Sequence, residues 1–206
     1  MALTQTEVSQ LYVAIFNRAS EGSGNFFWQT FYVESEKEET LGEIADAMLA
    51  TSDAKDYFGD SIDSNQDFIE HIYLNTLNKT ADGAGGTVAD AAGLAYWTAR
   101  LTGDTQGPQL TRAELISTFI DTVNDVQATA PTAASQQWTN RVEVSDHTAD
   151  TLATTPSDYK TSLAFQNSGT TGLVVTDSPT TVTTAKEAVN NAPTIEAITE
   201  IGRAHV

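Results

Sequence analysis

A short acidic stretch places oxygen-bearing side chains at alternating positions. Asp63, Asn65 and Asp67 are spaced two residues apart, and Asp60 lies just before them. Carboxylate and amide oxygens at this spacing are typical of the first half of an EF-hand calcium loop. The stretch is therefore a candidate calcium site.

The same stretch departs from an EF-hand at two positions. Phe68 stands where the loop glycine is required, and Leu74 stands where the distal glutamate is required. The alternative is a helix start, in which Asp63 or Ser64 is the cap and Asp67 belongs to the first turn. Both interpretations stay open.

Two further pairs of residues can be read as ligand sites. Asp82 and Asp90 flank a glycine-rich loop and form a second calcium candidate. Trp28 and Trp97 are candidates for glycan binding, because an exposed indole face can stack on a sugar ring. The alternative is that both tryptophans fill the space between helices, as most buried aromatic side chains do.

The residues required for catalysis do not form a recognisable set. His71, His147 and His205 lie on unrelated segments, and no His-x-x-x-His, Gly-x-Ser-x-Gly or P-loop pattern is present. A pair of carboxylates acting on cell-wall sugar is a weaker alternative, because no pair is marked by its spacing. The chain is predicted not to be an enzyme.

An internal duplication organises the first 126 residues. Residue types recur 61 positions apart at an aromatic, an amide, an acidic and a glycine position: Tyr12 and Tyr73, Asn17 and Asn78, Glu21 and Asp82, Gly22 and Gly83. Such agreement in one register indicates two copies of one unit, at about 5–60 and 64–126. The recurring positions are predicted to build the internal scaffold of each unit.

The apolar spacing predicts an all-α fold made of two copies of a small multi-helix repeat, followed by a helical tail. The first helix is expected to start at a Thr4 or Thr6 cap and to end near Ser20, where Gly22 and Gly24 would supply turn geometry. Thr40 and Thr111 are expected to cap the third helix of each unit. Apolar residues recur at helical spacing in the first helix, at Val8, Leu11, Tyr12, Ile15 and Phe16.

The composition becomes rich in threonine and alanine near Gln127. Residues 127–206 are predicted to be a helical C-terminal region with thin apolar faces, whose last helix begins at Pro193. Such helices bury too little apolar surface to be stable alone. They are expected to pack on the repeat domain or on neighbouring subunits.

Charge and composition exclude several classes of partner. The 206 residues include 28 acidic and 10 basic ones, which gives a net charge of −18. Nucleic acid and bare anionic membranes would be repelled, whereas Ca²⁺ is a natural partner. Cysteine is absent, and no apolar run reaches the ~20 residues of a membrane span. The start at Met1 has no signal-peptide pattern, so the protein is expected either to be cytoplasmic or to leave the cell by a route that needs no N-terminal signal.

The two repeated motifs resemble those of a known protein family. They read Leu11-Tyr12…Asn17-Arg18…Glu21-Gly22…Trp28 and Ile72-Tyr73…Asn78-Lys79…Asp82-Gly83…Trp97. This pattern resembles the N-terminal helical repeat region of bacterial S-layer proteins and other type I-secreted surface proteins. The stretch 137–145 is similar to the helix that follows such repeats. The glycine- and aspartate-rich repeats that usually follow in the family are missing here.

The resemblance implies a structural protein of the bacterial cell surface. It implies export by a type I exporter, self-assembly outside the cell as a sheet or filament, anchoring to lipopolysaccharide and support by calcium. A glycan-binding module that does not assemble is the alternative.

Overall fold

A computed structural model describes residues 2–31, 40–80, 87–88, 91–104, 107–156 and 158–192. The predicted calcium ligands Asp82 and Asp90, the predicted helix at Pro193 and His205 lie outside these residues. The described part is mostly helical, which confirms the predicted all-α class. No described helix is both long enough and apolar enough to span a lipid bilayer.

Ten α-helices follow one another along the described chain. They are α1 Gln5–Phe16, α2 Gly22–Gln29, α3 Leu41–Leu49, α4 Ser52–Phe58, α5 Asn65–Leu77, α6 Ala91–Thr102, α7 Arg112–Thr129, α8 Ala133–Thr151, α9 Tyr159–Ser162 and α10 Pro179–Asn190. A 3-10 turn, Gly59–Ile62, joins α4 to α5.

Two very short parallel strand pairs interrupt the helices. They are β1 Lys79–Thr80 with β2 Thr87–Val88, and β3 Phe165–Gln166 with β4 Leu173–Val174. The register pairs Lys79 with Thr87 and Phe165 with Leu173. Strands of two residues carry no period-2 pattern, so the apolar spacing did not predict them.

Threonine caps set where several helices begin. Thr4 accepts a hydrogen bond from the backbone of Glu7, whose carboxylate bonds back to Thr4. The same reciprocal capping box opens α3 at Thr40 and α7 at Thr111, as predicted. Each such cap contributes about 1 kcal/mol to stability.

The predicted end of the first helix was wrong. The helix ends at Phe16, because Asn17 adopts the left-handed conformation with φ 49° and ψ 40°. Asn78 ends α5 in the same way, with φ 52° and ψ 43°. Asparagine tolerates this conformation better than other non-glycine residues. Gly22 and Gly24 lie inside α2 and supply no turn.

Gly22 has a packing role instead. A Cβ atom at this position would lie 2.5 Å from the carbonyl oxygen of Ala149 in α8. The absence of a side chain lets the backbone N–H of Gly22 donate to Leu152 O at 2.8 Å. The start of α2 thus bonds to the carbonyl groups that α8 leaves unpaired at its end.

The core is built around α1. All residues from Val8 to Phe16 except Gln10 are buried, so this helix is covered on every side. It contacts α2, α3, α4, α5, α7 and α8. One continuous apolar cluster extends from Leu3 to Val189.

The C-terminal helices belong to this same cluster. Trp138 of α8 is 1% exposed, and its indole nitrogen donates to Asn124 Oδ1 of α7 at 3.0 Å. The helix α10 packs on α8 and buries Val182, Ala185 and Val189. Residues 127–192, where described, therefore pack on the helices that precede them. The helix α7 runs through residue 127, the position at which the composition changes.

Candidate functional site

The predicted calcium residues of the acidic stretch lie around a helix start. Asp60 is in the 3-10 turn and Asp63 follows it, whereas Asn65 and Asp67 are in the first turn of α5. The backbone N–H of Asp67 donates to the hydroxyl of Ser64 at 3.2 Å, which makes Ser64 the cap. The local geometry is therefore that of a capped helix start rather than that of an EF-hand loop.

Two observations bear on metal binding at this stretch. The amide oxygen of Asn65 accepts a hydrogen bond from Arg112 at 3.1 Å. One acceptor position of this oxygen is therefore already occupied by a protein donor. Nowhere in the described ranges do three histidine, aspartate or glutamate side chains form a group that could hold a metal ion. Calcium binding stays a prediction.

Both candidate glycan-binding tryptophans are buried. Trp28 is 8% exposed and Trp97 is 7% exposed. The ring of Trp97 lies 5.2 Å from that of Phe119, which in turn lies 5.0 Å from the ring of Tyr73. Trp97 therefore packs on Phe119 of α7 within a cluster of rings, as the interpretation of the tryptophans as core residues expects. Glycan binding by the indole faces stays a prediction.

The exposed rings are the neighbours of the tryptophans. Phe26 is 65% exposed and Phe27 is 51% exposed, and we call these two residues the aromatic surface. Tyr96, which precedes Trp97 as Phe27 precedes Trp28, is 50% exposed. Because α2 is held by buried Trp28 and Asn25 on its other side, these phenylalanines are presented to solvent by a fixed helix.

Of the four recurring residues of the first unit, Tyr12 and Glu21 are buried, whereas Asn17 and Gly22 are half-buried. Arg18 and Glu21 form an ion pair of 2.9 Å, and their side chains are 9% and 8% exposed. The guanidinium of Arg18 lies between two rings, 4.6 Å from the centroid of Tyr12 and 4.5 Å from that of Tyr159. Burial is the main reason that the pKa of the Tyr12 hydroxyl is raised well above its usual range.

A buried arginine network joins the two recurring asparagines. Arg141 of α8 is 2% exposed and donates to Asn17 Oδ1 at 3.1 Å, to Asn75 O at 3.0 Å and to Asn167 Oδ1 at 3.1 Å. Asn167 donates in turn to Asn78 Oδ1 at 2.6 Å. Both left-handed helix ends are therefore connected through Arg141 and Asn167.

This arginine is charged although its hydrogen-bond acceptors among the described residues are neutral. Burial lowers its pKa to about 10, and the hydroxyl of Tyr57 opposes that shift. A value of about 10 still leaves the guanidinium protonated at neutral pH. Its Nε atom has no partner in the described structure. Sequence reasoning missed Arg141, because a lone basic residue on an amphipathic helix is normally assigned to the surface.

A cleft of about 370 Å³ opens beside this network. It lies between the end of α1, the helix α4, the short helix α9 and the strand β3. Its lining combines aromatic, amide and charged side chains from these elements: Phe16, Asn17, Arg18, Asp53, Asp56, Tyr57, Tyr159, Lys160 and Gln166. No signal in the sequence marks this cleft, since residues 53–57 and 159–166 are about a hundred positions apart.

Two contacts connect the opposite walls of the cleft. Lys160 Nζ lies 3.4 Å from Asp56 Oδ2, and both side chains are more than half exposed. The pKa of the Tyr159 hydroxyl is raised by burial and by the neighbouring Asp53 carboxylate. On the inner side, the Tyr57 hydroxyl donates to Asn75 Oδ1 at 2.8 Å.

Neither of the two described histidines lines the cleft. His71 lies among rings, 5.2 Å from Phe58 and 5.7 Å from Tyr57, and burial lowers its pKa. His147 Nε2 shares a hydrogen bond of 2.9 Å with Asn190. His71 on α5 and His147 on α8 are used in packing and surface contacts.

Comparison with protein-family models, with curated proteins and with solved structures finds no match for this chain.

Proposed function

We propose that this chain is a structural, non-enzymatic protein of the bacterial cell surface that self-assembles outside the cell. The observation that carries the proposal is the aromatic surface of Phe26 and Phe27, which a fixed helix presents to solvent. Covering a phenylalanine side chain contributes about 1.5–3 kcal/mol, so a contact centred on both rings would favour association. Exposed apolar patches commonly mark interaction sites.

Repetition of the unit supports assembly. Asn17 and Asn78 have nearly identical backbone conformations, and Thr40 and Thr111 form the same capping box. Phe27 and its counterpart Tyr96 are equally exposed. We propose that residues 5–60 and 64–126 are two copies of one unit and that each copy offers a similar surface to a neighbour. The Thr/Ala-rich region after 127 completes the subunit.

The net charge of −18 sets a condition on assembly. Subunits of like charge repel one another, and the repulsion weakens when divalent cations bind or salt screens it. Calcium is proposed to have this role, with Asp60, Asp63, Asn65 and Asp67 as candidate ligands. The extracellular location and export through a type I exporter are supported by the resemblance of the repeat motifs alone.

Negative-stain microscopy and sedimentation of the purified full chain test the proposal. The chain is expected to form sheets or filaments in millimolar calcium and to dissociate in a chelator. Phe26→Ser combined with Phe27→Ser is expected to abolish assembly without changing helicity. Val126→Ser, which alters an exposed apolar residue of α7, is the matched control and is expected to assemble normally. A monomeric particle under every condition would refute the proposal.

The second candidate function is a glycan-binding module that does not assemble, with lipopolysaccharide or another surface polysaccharide as the ligand. The paired exposed rings Phe27 and Tyr96 favour it, because one such ring is available on each unit. Binding of purified lipopolysaccharide by a strictly monomeric chain would support this candidate over assembly. Loss of that binding in Phe27→Ser and Tyr96→Ser, with an unchanged melting temperature, would place the glycan site on these two rings.

A further inference from the structure

The cleft between α4 and α9 has the properties of a small-molecule site. We infer that it binds a neutral, polyhydroxylated ligand of one or two sugar rings. Its biological setting rests on the cell-surface location proposed above, but the binding itself requires no assembly.

The size of the cleft fits a small ligand. Its volume of about 370 Å³ lies at the low end of the range of about 300–1,000 Å³ found for ligand pockets. The wall formed by Phe16, Asn17 and Arg18 is held by the core, because Phe16 and Arg18 are buried and Asn17 is bonded to Arg141. A site whose wall is positioned in this way needs little ordering when a ligand enters.

The charges around the cleft favour a neutral ligand. Equal numbers of cations and anions line the cleft or pair directly with its lining: Arg18, Lys160 and Arg141, and Glu21, Asp53 and Asp56. A charged ligand would therefore gain no net attraction from these groups. The net charge of −18 on the whole chain further disfavours an anion.

The polar groups of the lining match hydroxyl groups. The cleft offers carboxylate acceptors on Asp53 and Asp56, a donor on Lys160 and an amide with both functions on Gln166. Lys160 and Asp56 pair with each other, and each keeps further hydrogen-bonding positions beside that ion pair. A hydroxyl group both donates and accepts, so neighbouring hydroxyls can satisfy all four side chains. A lone amine or carboxylate would satisfy only the acceptors or only the donors.

Aromatic rings complete the lining. Phe16, Tyr57 and Tyr159 each contribute to the walls. The C–H face of a sugar ring is apolar and packs against an aromatic face, whereas its hydroxyl edge requires polar partners. The combination of rings and mixed polar groups in one cleft is what a sugar ring needs.

Saturation-transfer NMR on the full chain in calcium-free buffer tests the inference. The probes are glucose, galactose, mannose and N-acetylglucosamine, with spermidine and glucuronate as charged comparisons. At least one neutral sugar is expected to bind. Asp56→Ala and Gln166→Ala are expected to weaken that binding by about tenfold, since each removes one polar partner.

Glu143→Gln is the matched control, because it alters another exposed ion pair, that of Lys186 with Glu143, away from the cleft. It is expected to leave sugar binding unchanged. Binding of no neutral sugar, binding that both cleft variants leave intact, or binding of spermidine or glucuronate alone would overturn the inference. Sugar binding by a chain that never assembles would refute the assembly proposal and leave this inference standing.

Discussion

Arg141 donates a hydrogen bond of 3.1 Å to the side chain of Asn17, a residue 124 positions earlier that ends α1 in a left-handed conformation. The same guanidinium bonds to Asn75 and Asn167. The helix α8 thereby holds the turn that follows α1 and the end of α5. A single buried charge joins three parts of the chain that are distant in sequence.

Replacement of Arg141 is expected to destabilise the protein strongly. Arg141→Ala removes the donors to Asn17, Asn75 and Asn167 and leaves a cavity, so a loss of about 3 kcal/mol or more is expected. Urea unfolding measures it. Lys160→Ala, which breaks an exposed ion pair, is the control and is expected to change the free energy of unfolding by about 0.5 kcal/mol at most. Equal effects of the two changes would contradict the assigned role.

Two glycines inside helices are expected to respond to alanine in opposite directions. In Gly22→Ala the new Cβ would lie 2.5 Å from Ala149 O, so the contact between α2 and α8 must open, at a cost of about 1–3 kcal/mol. At Gly42 of α3 the nearest atom is Ser117 Oγ at 3.6 Å. Gly42→Ala is expected to stabilise the helix by about 0.5–1 kcal/mol. Melting temperatures of the two variants measure the difference, and a shift of the same sign in both would refute the packing role of Gly22.

The tryptophans and the rings beside them are expected to differ in their effect on stability. Trp28→Ala and Trp97→Ala should each lower the free energy of unfolding by about 3–5 kcal/mol, because the side chains are buried. Phe26→Ala should change it by about 0.5 kcal/mol or less, because Phe26 is 65% exposed. Circular dichroism during urea unfolding checks all three. A stable Trp28→Ala variant that has lost glycan binding would instead support the indole-stacking prediction.

Stability is expected to fall in alkaline solution as tyrosines titrate. Burial raises the pKa of Tyr57 to about 12, whereas the unfolded chain titrates near the usual value of 10.0. The unfolded state therefore loses this proton first, and the stabilisation that is complete below pH 10 is lost as pH rises towards 12. Two pKa units correspond to about 2–3 kcal/mol.

Unfolding curves recorded from pH 8 to 12 check this pH dependence. Tyr57→Phe should be less stable at neutral pH by about 1 kcal/mol, because the hydrogen bond to Asn75 is lost. Its stability should then fall less steeply with pH than that of the original chain. An identical slope would show that Tyr57 ionises equally in both states.

Local features of the structure could be predicted from the sequence. The all-α class follows from the helical spacing of apolar residues, and the starts at Thr40 and Thr111 follow from a cap and a glutamate three residues later. The interaction between cap and glutamate involves only neighbouring residues, so short-range patterns are sufficient. Gly22 and Gly24 predict a later end for α1 than the structure shows, because Asn17 adopts the left-handed conformation itself.

The candidate site depended on tertiary structure. Tyr57 and Tyr159 meet in one cleft, and Arg141 reaches Asn17, only because the chain folds back on itself over about a hundred residues. The exposure of Phe27 and the burial of Trp28 could not be predicted from the sequence either, since both are large aromatic residues on one short helix. Apolar spacing and caps determined which segments are helices, because those interactions are local. Tertiary packing decided which rings face solvent and which charges lie together, because those depend on contacts between distant segments.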